Sequence, residues 1–388
     1  MPIKKIASSV LLVTCVFPFA VAHAESSVLL YGLVDAGFAY SNNQGGGKLY
    51  SLTSGNLQSS RWGMRGTEDI GNGMSAVFVL ENGYAVTTGK LQQGGDEFGR
   101  QAYVGLGLSN IGTLTLGRQY DPGVDYVAKL AAVGQWGTMY SAHPGDLDNF
   151  NNVNRVNNAI KFRSVDYSGF SFGGLYSFGG IAGDFSRNQI WSVGANYRHG
   201  PVTFAAAYVD VNDPNYSFFG NNSTSSSNAS NMTGSLVYSG YASAKSQRIA
   251  SAGGALTLGA TTVGAVFSNT VFGSIGAEPG LPAVGRGGSA RFNNFEVNVK
   301  QQVTPAFLIG AAYVYTDGYD TNDAKYNQVS LGVDYFLSKR TDLYMTGVYQ
   351  HASGTDSTGN PARANINGVS ASSTSSQFLA VAGIRHKF

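Results

Sequence analysis

The chain has one cysteine, Cys15, and it falls within the first two dozen residues. If those residues are cut away as a leader, neither a disulfide nor a thiolate metal site is left to hold the fold together. Long apolar runs are equally scarce. After residue 24 no stretch reaches the roughly 18 consecutive apolar residues that a membrane-spanning helix needs. Charge is thin as well, with Asp, Glu, Lys and Arg making up 12% of the residues. Loss of Lys4 and Lys5 with the leader takes Lys+Arg from 25 to 23 against 23 Asp+Glu. A formally neutral mature chain gives no support to nucleic-acid or polyanion binding.

The leader reads as a secretory signal. Lys4 and Lys5 are followed by mostly apolar residues over 6–21, then by Ala22-His23-Ala24, so cleavage is expected after Ala24. Lipidation at Cys15 is the rival reading, but Thr14 fits it poorly and the apolar run continues past it. Residues 25–388 are expected to form a single domain.

What the chain has in quantity is glycine (52), tyrosine (22) and phenylalanine (22), arranged with a period of two. Phe378, Ala380, Ala382, Ile384, His386 and Phe388 share one face of an extended segment, and Val381, Gly383, Arg385 and Lys387 share the other. Such alternation marks a strand with a different solvent on each side. Turn-rich connections lie at 68–73, 109–112, 166–169, 198–201, 259–261, 304–305 and 338–341. Longer loops fall near 42–57, 87–98, 120–154, 180–188, 212–244, 273–290, 318–325 and 354–375. Seven tight turns and eight loops join sixteen strands, an even number that lets an antiparallel barrel close. The fold class is therefore all-β, a 16-stranded antiparallel transmembrane β-barrel. The Asn, Ser and Gly run over 220–231 reads as a flexible external loop tip.

Face assignments place charge in the interior. Arg61, Gly63 and Arg65 oppose Trp62 and Met64; Ser75, Val77, Val79 and Glu81 oppose Met74, Ala76, Phe78 and Leu80; Arg155, Asn157, Lys161 and Arg163 oppose Ile160 and Phe162. A charge facing lipid at mid-bilayer costs about 2–4 kcal/mol, so these must face water. Strict alternation puts Arg100 with Ala102 and Val104, and Arg118 with Leu114 and Leu116, on the lipid face. Each must then lie above the hydrocarbon band or be re-aimed by a bulge near Gly99 or Gly117. The third loop, 120–154, combines Trp136 and Tyr140 with Asp121, Asp125, Asp146 and Asp148. Its residues fit two readings: a loop folded into the lumen that presents those acids opposite the wall cations, or an external loop with solvated charges.

The chain resembles the trimeric general porins of Gram-negative outer membranes, of the β-proteobacterial type. The likeness rests on Ser27-Val28-Leu29-Leu30-Tyr31-Gly32-Leu33-Val34-Asp35-Ala36-Gly37, Ser60-Arg61-Trp62-Gly63-Met64-Arg65-Gly66-Thr67-Glu68-Asp69 and Leu116-Gly117-Arg118-Gln119-Tyr120-Asp121. Arg155-Val156-Asn157-Asn158-Ala159-Ile160, Leu337-Ser338-Lys339-Arg340-Thr341 and the ending Gly383-Ile384-Arg385-His386-Lys387-Phe388 complete it. The resemblance implies an inward-folded third loop, a homotrimer set in outer-membrane lipid and lipopolysaccharide, and passive diffusion of ions and small hydrophilic solutes. It implies Arg61, Arg100 and Arg155, with Glu81 nearby, at a constriction, and Phe388 as the signal read by the barrel assembly machinery. With Arg65, Arg118, Lys161 and Arg163 added from the wall, cations are expected to set a modest anion preference. No cofactor, metal or nucleic acid is implied.

Other readings need different features. A hydrolase would need His143 with Ser141 and Asp146 or Asp148, groups so close in sequence that loop packing explains them better. Gly45-Gly46-Gly47-Lys48 lacks the helix and Ser/Thr spacing of a phosphate loop, and Asp146 with Asp148 is a thin basis for a cation site. A solute-specific channel differs from a general pore by saturable block.

Overall fold

The computed structural model describes residues 27–220 and 229–388. The leader and most of the 220–231 run lie outside the described residues. Seventeen strand segments form one antiparallel sheet. They are β1 (Ser27–Gln44), β2 (Gly47–Ser54), β3 (Arg61–Gly71), β4 (Met74–Gly83), β5 (Gln101–Leu108), β6 (Gly112–Gln119), β7 (Val156–Ser164), β8 (Phe170–Ser177) and β9 (Ile190–His199), followed by β10 (Val202–Asn212), β11 (Ser246–Leu258), β12 (Thr261–Gly273), β13 (Ala290–Thr304), β14 (Phe307–Asp320), β15 (Lys325–Phe336), β16 (Thr341–Ser353) and β17 (Ser376–Lys387). The pairing of β1 with β17, from Leu33↔Lys387 to Ser41↔Leu379, closes the ring. Among the described residues no helix is long and apolar enough to cross a membrane.

Seventeen segments make sixteen staves. The upper part of β1 pairs with β2 (Ala36↔Ser54), and its lower part pairs with β3 (Leu33↔Arg61). β2 and β3 are thus two lengths of one descending stave, interrupted at 55–60. This corrects the first loop: the chain turns at Gln44–Gly47 and is strand again to Ser54, so 42–57 is mostly ladder. The seven tight turns stand where the turn residues put them.

Burial follows the period of two. On β15, Val329, Leu331, Val333 and Tyr335 are exposed on the outer face, whereas Gln328, Ser330 and Asp334 are buried on the inner one. The outer face is apolar around the ring, with Phe38, Val104, Leu116, Phe204, Val297 and Met345 all exposed. A sheet with no edge satisfies every backbone group internally, which is what hydrocarbon demands. The polypeptide has no core in the soluble sense. Its buried apolar clusters lie inside the barrel and at its loop end, where Tyr241, Phe272, Phe292 and Tyr326 pack together. They gather the loops after β10, β12 and β16 over one side of the mouth. Within the loop over 212–244, Tyr216, Met232, Val237 and Tyr241 are buried on both sides of the 220–231 run.

Candidate functional site

The site is assembled at the ends of neighbouring staves. Glu81 sits near the end of β4, Arg61 opens β3, Arg100 immediately precedes β5, Tyr120 follows β6 and Arg155 precedes β7. Arg100 Nε donates to Glu81 Oε1 at 2.8 Å, and Arg61 Nε lies 3.9 Å from Glu81 Oε2. The hydroxyls of Tyr31 and Tyr120 each donate to the same carboxylate at 3.0 Å. Arg100 Nη2 bonds the Tyr120 hydroxyl at 2.8 Å. The guanidinium carbons of Arg100 and Arg155 each stand 5.9 Å from the centre of the Tyr120 ring, within cation–π range. Arg155 Nη1 donates to the Val153 carbonyl at 2.7 Å, and its buried Nε has no partner. Three guanidinium groups therefore gather around one carboxylate.

Arg100 reaches this cluster because the ladder has ended. Glu81↔Gln101 is the last β4–β5 pair, so residue 100 is outside the alternation that would have turned it to lipid. Arg118 behaves differently. It pairs across to Ala102 on the outward side and directs its donors at the Gly99 carbonyl (2.8 Å) and Asn157 Oδ1. A bulge does occur beside it, with Gly117 at φ +137 and Asn158 at φ +52. That bulge brings Val156 rather than Asn157 opposite Gln119 and leaves Arg118 outside the Glu81 cluster. Arg118 thus stands beside the cluster and makes no ion pair with Glu81.

Lys161 and Arg163 keep the inward face of β7. Lys161 forms an ion pair with Asp125 and donates to the Tyr120 carbonyl at 2.7 Å. Arg65 lies 5.4 Å over the Tyr31 ring. Neither Arg65 nor Arg163 makes an ion pair among the described residues.

The third loop runs inside the barrel, through short helical turns at Gly123–Val127, Ala128–Leu130 and Ala132–Gln135. The far wall holds it by its backbone. Glu296 accepts from Ala132 N at 2.7 Å, Asn298 donates to the Leu130 carbonyl at 2.9 Å and Gln328 donates to the Ala142 carbonyl at 2.9 Å. Trp136 lies against the inner side of Gly310 and Gly332. A Cβ on Gly332 would come within 2.8 Å of the indole, so the missing side chains leave the notch it fills.

Of the loop acids, only Asp125 pairs with a cation of the wall. Asp121 caps the first turn, accepting from Gly123 N at 2.7 Å and from Asn149 Nδ2 at 2.8 Å, and burial pushes its carboxyl up. Asp146 accepts from Asn151 N, and burial, reinforced by the charge of Asp148, pushes it up to about 8. Asp148 Oδ2 is 2.5 Å from His143 Nδ1, whose Nε2 is 2.9 Å from Glu296 Oε2. Burial disfavours the His143 charge, but Asp148 and Glu296 outweigh it and raise the imidazole to about 10. The expectation that Asp121, Asp146 and Asp148 face the wall cations is therefore corrected: Asp121 and Asp146 are buried among the loop's own residues, and Asp148 accepts from Ser268 Oγ of β12 at 2.6 Å, on the wall away from the arginines. The clamp on Glu296 was not anticipated. The pattern Asn294, Glu296, Asn298 on one face of β13 was the available signal that an acid points inward there.

Hydrolase geometry is missing from this site. Both nitrogens of His143 are committed to carboxylates, and Ser141 Oγ is buried with no hydrogen-bond partner. A nucleophile must touch its base. Phe388 closes the ladder instead, exchanging backbone hydrogen bonds with Gly32 at 3.0 and 3.1 Å. At the mouth, a cavity of about 820 Å³ is bordered by Gln92, Gln93, Asn151, Asn152, Asn154 and Arg155.

An apolar outer wall, a polar bore and a loop crossing it define a transmembrane β-barrel channel. The chain belongs to the Gram-negative porins, whose family profile matches residues 7–355. It is 29% identical over 368 residues to an outer membrane porin protein of Bordetella pertussis, covering 84% of this chain and 90% of that protein. Outer membrane porin protein 32 of Delftia acidovorans is 32% identical over 163 residues, 40% of this chain and 45% of that one. Among solved structures, the anion-selective porin from Comamonas acidovorans superimposes with a TM-score of 0.73 at 23% identity, covering 94% of this chain and all of the other. The protein is an outer-membrane porin, a channel and not an enzyme.

Proposed function

We propose that the channel prefers anions and is constricted where Arg61, Arg100 and Arg155 surround Glu81. One observation carries the preference: among the described residues the acids beside the constriction are buried or paired, with Asp96 exposed only at the mouth, whereas lumen cations are not all matched. Three positive charges meet one carboxylate at the upper cluster, Asp125 is neutralised by Lys161, and Arg65 and Arg163 remain exposed below. Fixed charge in a narrow low-dielectric bore sets the local ion concentration and so the selectivity. The structurally similar porin from Comamonas acidovorans is described as anion-selective, which accords with this reading.

The working unit is a homotrimer in outer-membrane lipid and lipopolysaccharide. A structural neighbour from Vibrio cholerae is described in a trimer form. The mature chain begins after Ala24, Phe388 is presented to the barrel assembly machinery, and small hydrophilic solutes pass by diffusion. The test is the reversal potential of reconstituted channels in a salt gradient. Wild type is expected to favour anions, and Arg61→Ala to shift the potential toward cations with a larger conductance. Cation preference in wild type, or no shift in the variant, removes the arginine cluster from selectivity.

A further inference from the structure

On the outer face, β13 to β17 border a furrow of about 670 Å³ that is open to the bilayer. Cross-strand pairing shows how it arises. Ala311, Leu331 and Gly347 stand opposite one another across β14, β15 and β16, with small residues at both ends of the row. The next rows on that face lie two residues away, about 6.8 Å along the strand. They are bulky, with Ile309, Val333 and Met345 on the side of the tight turns and Phe378 on the other. A Cβ on Gly347 would meet only a ring carbon of Phe378, at 3.8 Å, so the floor is open there. Behind the furrow, Gly310 and Gly332 pair with each other, and a Cβ on either would run into the Trp136 indole inside the barrel. Both glycines also border the furrow. A single layer of backbone therefore separates the anchor of the third loop from the bilayer.

We propose that this furrow seats one acyl chain of a phospholipid from the leaflet on the side of the tight turns, with the ester and headgroup beside Gln301. The outer face lies in hydrocarbon, so the occupant comes from the bilayer or from a second copy of the chain. Shape and polarity favour the lipid. The furrow climbs from Gln301, close to the 304–305 turn, to Phe378 near the opposite end of β17. Gln301 is the one polar side chain among the described residues that border it. A lipid is likewise apolar along its length and polar at one end. A stable contact between copies buries a broad face, about 800 Å² on each partner, whereas this furrow is one row of side chains wide. A chain lying in it touches a floor and two banks, and dispersion attraction grows with every atom in contact. On the convex wall elsewhere a chain touches one side. The inference goes beyond permeation and does not depend on the sign of the selectivity.

Trp136 itself is the reporter. The chain has three tryptophans, so Trp62→Phe with Trp191→Phe leaves only the indole behind the furrow. This protein is reconstituted in phosphatidylcholine vesicles with and without bromine at mid-chain, a quencher of indole emission at short range. Emission from Trp136 is expected to fall in the brominated vesicles although the indole lies inside the barrel. Gly347→Leu with Ala311→Leu fills the furrow from outside and should abolish most of that loss. Ala311→Leu alone, which only lengthens a side chain already present, should abolish part of it. Ala206→Leu, on the exposed outer face of β10, should leave the loss unchanged. Unquenched Trp136 in the starting protein, or equal quenching in the filled and unfilled furrows, would overturn the site. Quenching that appears only after subunits are dissociated would give the furrow to a second copy instead.

Discussion

At Glu81 one carboxylate serves two guanidiniums and two phenols, which makes it the residue on which the upper cluster balances. Arg100 and Glu81 are almost fully buried, and removing one member of a buried pair strands the other. Glu81→Gln is therefore expected to destabilise the barrel by about 3–5 kcal/mol, read as a lower heat-denaturation temperature, and to strengthen anion preference, read as a larger reversal potential of the same sign. A shift toward cations would contradict it. The inward parity of Arg61, Arg65, Glu81, Lys161 and Arg163 was readable from alternation alone. Arg100 was not, because its direction is set one residue beyond the last ladder pair, where alternation has no force.

The third loop is an element held by ionised and hydrogen-bonded groups, and so its hold depends on pH. His143 faces Asp148 and Glu296; Asp146 feels Asp148 first among the charges. In the docked loop His143 keeps its proton to about 10, against an ordinary value of 6.5. Asp146 keeps its own to about 8, against 3.8. In each case the docked state binds more protons than the free loop, so stability falls as pH rises. The Asp146 contribution fades between 3.8 and about 8, and the His143 contribution is complete below 6.5 and gone above about 10. Loss is steepest where the two windows overlap. Open-channel noise is expected to grow from neutral pH toward pH 10, and His143→Gln should flatten that rise. A rise confined to acid conditions would contradict the clamp. Neither the clamp nor the Trp136 notch could be read from the loop's own residues, since Glu296, Gly310 and Gly332 lie on strands far along the chain.

For the whole molecule, the two faces of the sheet meet different media. The wall is also uneven: β5 to β8 run 8 or 9 residues, whereas β11 to β16 run 12 to 15. Leu331, midway along β15, is 60% exposed on the outer face. Leu331→Arg should cost about 2–4 kcal/mol of folding free energy in bilayers, measured by urea titration in vesicles. Thr67→Arg, on the lumen face of β3, should be nearly neutral in the same titration. Equal costs for the two would deny the partition.

Strand number, turn positions and, within the regular ladders, the assignment of side chains to wall or bore were legible in the residues, because a pleated backbone alternates its side chains whatever its neighbours are. Contacts between distant segments settled the rest: which acids lie hidden in the third loop, where Arg100 and Arg118 turn, and how β2 and β3 merge into one stave. Alternation is a local property of covalent geometry. Whether a charge stays open to the bore depends on which groups the closed ring brings within hydrogen-bonding reach.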